Sequence, residues 1–147
     1  MKANELMIGD WVRKLEPGGH TIPVKVTGII DEDNSVLFER RDGVHGVTDI
    51  KAFEPIPLTG EILGKNGFVH RQSVTWGDVF TYTYAIVQKD KVLQYEQHFN
   101  LSPNPYDGSG FYWIPEMSAV SALRVVYVHE LQHLLRLCGI EKDIIEL

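Results

Sequence analysis

The stretch VHELQHLLRLCG, residues 128 to 139, contains His129-Glu130-Leu131-Gln132-His133, an H-E-x-x-H pattern. A separation of four residues is close to one turn of 3.6, so a helix here carries both imidazoles on one face. In a zinc hydrolase the two histidines ligate the metal and the glutamate activates a bound water as general base. Such a site also needs a third protein ligand and an open fourth position. The chain offers none in the usual places. Arg136 stands where a glycine would continue the motif towards a third histidine, and Glu141, Asp143 and Glu146 are reached only if the chain doubles back. Cys138, the sole cysteine, follows the motif, and the remaining histidines are the distant His20, His45, His70 and His98.

A helical wheel gives the competing reading. Val128, Leu131, Leu134, Leu135 and Cys138 form an apolar sector, with His129 and His133 almost opposite and Gln132 and Arg136 beside them. A fixed guanidinium one turn beyond His133 would oppose a divalent cation. The expectation is therefore an amphipathic helix closing the second domain, its histidines on the exposed or interface side, with no catalytic residue, no metal and no cofactor. A zinc-dependent hydrolase on His129, Glu130 and His133 is the alternative.

The elements that must hold this helix are mostly strands. Before residue 56, Trp11-Val12, Pro23 to Ile30, Val36 to Phe38 and Val47 to Ile50 are short apolar or alternating runs between turn-rich stretches such as EPGGH, DEDN and RRDG. In PVKVTGII, Val24, Val26 and Ile30 are expected on one face, with Gly28 at a sharp bend. This texture predicts an SH3-like five-stranded β-barrel over 1–56. An α+β domain over 57–147 follows: Thr59 caps a short helix running to Asn66, with Gly67 in the left-handed position after it. VFTYTYAIV and KVLQYEQHF read as a hairpin around QKDK, Leu93, Tyr95 and Phe99 sharing a face of the second arm, and FYWIP and LRVVY as further strands. The fold class expected is α+β, a small antiparallel sheet and the C-terminal helix completing the barrel's companion domain.

Ten of the fifteen aromatic residues fall between Trp76 and Trp113, where they fill a core or form a stacking surface. Tyr106, Phe111, Tyr112 and Trp113, beside the loop SPNPYDGSG, are the candidate ligand-binding residues. Net charge is −6, and residues 1–56 and 57–147 each carry 7 basic and 10 acidic residues. Phosphate backbones are bound mainly by excess lysine and arginine, so this balance argues against nucleic acid. Arg40-Arg41, flanked by Glu39 and Asp42, reads as a solvated strand end. No apolar run approaches the ~20 residues of a membrane span and the opening residues lack a secretory pattern, so the expected setting is the cytoplasm.

Three segments, MKANELMIGDWV, EPIPLTGEILGKNGF and VYVHELQHL, together resemble a family of small uncharacterised proteins of Bacteroides-type bacteria and their prophages. Its members are similar in an ANELRIGN opening, a central EPIPLTEEILEKNGF and a closing YVHELQNL. The resemblance implies an SH3-like front half, a helix-and-sheet back half and no assigned activity. His133 stands where many relatives carry asparagine, and Gly60 and Gly64 where they carry glutamate. The function expected is that of a non-enzymatic interaction or accessory protein, phage- or mobile-element-derived, with a protein or peptide partner.

Overall fold

The computed structural model describes residues 1–30, 32–74, 80–89, 96–104, 107, 109–113 and 123–147. In chain order its strands and helices are β1 (Trp11–Leu15), β2 (Thr21–Ile30), β3 (Ser35–Arg40), β4 (His45–Asp49), β5 (Phe53–Glu54), α1 (Gly60–Lys65), β6 (Val69–Val74), β7 (Phe80–Lys89), β8 (Glu96–Pro103), β9 (Phe111–Trp113), β10 (Leu123–Val125) and α2 (Val128–Leu137). The chain divides into two compact units, Met1–Pro57 with Tyr127–Leu137, and Leu58–Val126 with Cys138–Leu147. Thus α2 belongs to the first unit, whereas its place late in the chain suggested the second.

The first unit is built on an antiparallel sheet of order β4-β3-β2-β1-β5. The four strands expected from the turn-bounded apolar runs all form. The closed barrel does not. The protein is mostly β, with two open five-stranded sheets, rather than an α+β chain led by a barrel; the C-terminal helix occurs as expected. Closure fails for a local reason. Among the described residues strand β4 pairs only with β3 and buries no side chain, and β5 is two residues long and reaches only Arg13 and Lys14 of β1. Neither edge supplies the row of inward residues that a shared ladder would need.

One face of this sheet carries a core of Leu6, Val12, Val24, Val26, Val36, Phe38, Ile50 and Phe53. Val24 and Val26 point inward as alternation requires, yet Ile30 is exposed and Ile29 packs on the core instead. The register between β2 and β3 shifts between Val26 and Gly28, leaving Thr27 without a partner. A one-residue bulge reverses the inside–outside sequence downstream of it, which moves the apolar contact from Ile30 to Ile29.

The second unit has the order β10-β9-β8-β7-β6, a meander of antiparallel neighbours. Strands β7 and β8 pair as the expected hairpin does, but Gln88 and Lys89, expected in its turn, continue β7 opposite Gln97 and Glu96, and β8 begins at Glu96. Leu93 and Tyr95 lie outside the described residues, while Phe99 is buried and meets Phe68 edge-on. Helix α1 forms where the Thr59 cap predicts it, with Thr59 Oγ1 accepting from Ile62 N at 3.2 Å and Gly67 at φ +81° after the Asn66 cap. Asn66 also holds the chain after α2: its Oδ1 accepts from Ile145 N and Glu146 N, and its Nδ2 donates to Glu146 O.

Gly46 of β4 lies opposite Phe38, and a Cβ there would stand 2.5 Å from Phe38 Cζ. The ring covers the glycine, so Gly46→Ala should destabilise the protein by about 1–3 kcal/mol, as overpacking does. Urea unfolding checks this. In a Phe38→Leu background the same change should cost less than about 0.5 kcal/mol, because the obstructing atoms are gone.

Candidate functional site

The site is built around α2 within the first unit. Strand-like backbone leads into the helix: Pro57 and Tyr127 form an isolated bridge, and Val128 N donates to Ile56 O at 2.9 Å. Glu130 Oε2 accepts from Tyr127 N at 3.1 Å while Tyr127 O accepts from Leu131 N at 3.2 Å. A glutamate at the third helical position that reaches back to the N-cap amide is half of a capping box. The motif's glutamate therefore starts the helix.

Val128, Leu131, Leu134 and Leu135 are buried, as the apolar sector predicts. The opposite sector is not a solvent face. Gln132, 3 % exposed, accepts at Oε1 from Trp11 N (2.9 Å) and donates from Nε2 to Gly9 O (3.1 Å). One amide side chain thus satisfies a donor and an acceptor where β1 begins. Beside it Asp10 is fully buried, a position tolerated by a carboxylate only when it is partnered. Asp10 Oδ2 accepts from Met7 N at 2.7 Å and from His133 Nε2 at 2.7 Å, and Oδ1 accepts from Arg136 Nη1 at 3.0 Å. Donation by His133 requires the proton on Nε2.

His129 is left with a different task. It is 5 % exposed, its ring stacks on Tyr127 (centroids 5.8 Å, 8° between planes), and it meets the His133 ring edge-on at 5.8 Å. Its Nδ1 is buried without a hydrogen-bond partner among the described residues. Burial lowers the His129 pKa below the ordinary value of 6.5, opposed by the negative charges of Asp10, Glu130 and Glu5 and assisted by His133. A cavity of about 490 Å³ opens here, lined by Met1, Glu5, Pro55, Tyr127, His129, Glu130 and His133. The lining combines the edge of a buried imidazole, an aromatic ring and the carboxylates of Glu5, which accepts from Lys2 N at 2.9 Å, and Glu130.

Two of the three residues of the metal reading have protein partners here. Among the described residues no three His, Cys, Asp or Glu side chains are grouped to hold an ion. His133 Nε2 is bonded to a carboxylate that Arg136 also holds. Glu130 is engaged with the Tyr127 amide.

The aromatic candidates fall in the second unit. Tyr106 lies outside the described residues. Phe111, Tyr112 and Trp113 form β9. Phe111 is buried and meets Tyr84 edge-on at 5.6 Å, Trp113 stacks on Phe99 at 6.0 Å, and Tyr112 is half-buried. Arg40 pairs with Asp42 at 3.1 Å and Arg41 lies over the Trp11 ring. Sequence reasoning missed Asp10, Gln132 as a clamp and the burial of His129. The only local signal was an aspartate beside the first strand. No protein-family model, curated protein or solved structure matches the chain.

Arg136 and His133 keep some solvent contact, with side chains 37 % and 28 % exposed, so losing Asp10 does not strand a buried cation. Asp10→Asn should cost about 1–3 kcal/mol in urea unfolding, the range for hydrogen bonds to charged groups. A loss under about 0.5 kcal/mol, the scatter of ordinary surface changes, would show that the network contributes no stability.

Since His129 binds its proton less readily when folded, the unfolded chain takes up more protons between the lowered value and about 6.5. Stability is then full above pH ~6.5 and declines as pH falls through that window, levelling below the folded value. His129→Phe should remove this component. At neutral pH it should also add about 1 kcal/mol, by eliminating an unpartnered buried nitrogen while keeping the stack on Tyr127.

Proposed function

We propose that the protein is a non-catalytic binding module that receives a segment of a protein or peptide partner in the cavity beside α2. The observation that carries this reading is the cavity itself, walled by Tyr127, His129 and Glu130 at the start of α2, while Glu130 caps the helix and His133 holds Asp10. The residues a hydrolase would need, Glu130 as base and His133 as ligand, are engaged in capping and in holding Asp10. The cavity also fits better than β9, where Phe111 and Trp113 make ring contacts inside their own unit.

Peptides selected from a random heptapeptide library against the wild type should lose at least ten-fold in affinity on Glu5→Trp, which places a large ring at an exposed position of the cavity lining. If every selected peptide binds both proteins equally, the cavity is not the site. Protein purified without an affinity tag should carry less than about a tenth of an equivalent of zinc, because a complete site binds far more tightly than that. One equivalent of zinc, lost in His129→Ala, would establish the hydrolase instead.

A further inference from the structure

We propose that the open edge of β4 is a dimer interface, closed by β4 of a second copy of this chain running antiparallel, with Val47 on the two-fold axis. The proposal goes beyond the binding reading and does not depend on the cavity beside α2.

Among the described residues β4 is paired on one side only, with β3. Its other side lacks the usual protections of a sheet edge: HGVTD contains no proline or lysine, and its register against β3 runs without a bulge. The direction of its backbone groups follows from the two bonds that bracket it. Arg40 N donates to Val44 O at 2.8 Å and Ile50 N to Asn34 O at 2.9 Å, so the even-numbered residues between them exchange bonds with β3. His45, Val47 and Asp49 therefore turn their N–H and C=O groups to the open edge. Their side chains lie opposite Glu39, Leu37 and Ser35, on the face away from the core, whereas Gly46 and Thr48 lie opposite the core residues Phe38 and Val36. All three are exposed.

A second β4 is complementary to this edge in three respects. With Val47 on the axis, outward-facing residues meet outward-facing residues, so N–H groups of one copy meet C=O groups of the other along the strand. His45 then stands opposite the partner's Asp49 at one end and Asp49 opposite the partner's His45 at the other, two pairings of an imidazole with a carboxylate. Moving the axis to any other residue of β4 separates the histidine from the aspartate. Lastly, Leu37 and Val47, both exposed, are cross-strand neighbours, and the two-fold extends them into one apolar row of four side chains across the joined sheets. Five residues make a small interface, below the ~1,200 Å² of total surface that stable complexes bury, so the dimer forms at high protein concentration.

Sedimentation equilibrium of the full chain from about 20 µM to about 1 mM should show the mass rising towards that of a dimer, as an interface of this size requires. A monomer at the highest concentration would overturn the proposal. Over the same range the amide NMR signals of His45, Val47 and Asp49 should shift more than those of Gly46 and Thr48, whose N–H groups face β3. Shifts centred on another surface would overturn it. Val47→Lys brings two ammonium groups together on the axis and should weaken dimerisation at least about ten-fold, since like charges directly opposite are destabilising. Val47 is 59 % exposed, so the urea midpoint measured on dilute protein should not move. A dimer that survives Val47→Lys unchanged would also overturn the proposal. The peptide VHGVTDI, residues 44–50, should shift the same amides and compete with dimerisation. The same peptide with its histidine and aspartate exchanged sets like groups opposite each other at both ends, and should bind at least about three-fold more weakly. Equal binding of the two peptides would overturn the second copy as occupant, in favour of an edge that accepts any extended segment.

Discussion

The carboxylate of Asp10 is the constraint on which the first unit depends. A buried anion is stable only if the protein replaces the hydrogen bonds that water gave it. Three donors from two distant parts of the chain do so: the Met7 amide from the turn before β1, and His133 and Arg136 from α2. Gln132 then joins the same helix to the backbone of Gly9 and Trp11. With these bonds in place α2 has one rotation and one height against β1, and the cavity lined by His129 follows from that setting. Apolar contact alone, through Leu131, Leu134 and Leu135, would tolerate slippage that this polar register does not.

The same geometry explains why H-E-x-x-H can occur without its usual chemistry. A spacing of four brings two histidines to one face, but what each then does depends on what the opposing surface supplies. Opposite His133 the protein places Asp10, which already shares a guanidinium. Opposite His129 it places Tyr127 and open space. The glutamate between them sits three residues into the helix, where a carboxylate is favoured for capping whatever else the sequence does.

Much of the local structure was legible in the sequence, because turns and caps act within a few residues. Thr59 and Gly67 bound α1, and the alternation from Phe80 onward yields β7. The errors arose where the deciding partner was remote or the period was interrupted. Nothing near Ile30 announces that Thr27 bulges, so strict alternation places Ile30 on the wrong face. A run of four good strands looks like a barrel until the shortness of β5 and the empty inner row of β4 leave the edges unjoined. The helix's apolar side is legible from its own periodicity, while the choice between an exposed and an interface side for its histidines is not, because the partner of His133 lies 123 positions earlier. Of the candidate site, His129 and Glu130 were visible as chemistry, but their surroundings required tertiary structure.

The Asp10 network also sets an order of events during protein synthesis. Asp10 leaves the ribosome with β1, but Arg136 is translated 126 residues later. At about 5–20 residues per second, that interval is of order ten seconds. Throughout it the nascent sheet has an aspartate whose burial has no cationic partner, and the apolar strip that α2 will cover is bare. The early strands are thus held back from their final packing by a charge that favours water. The native arrangement of the first unit is reached only when the helix that completes it has emerged.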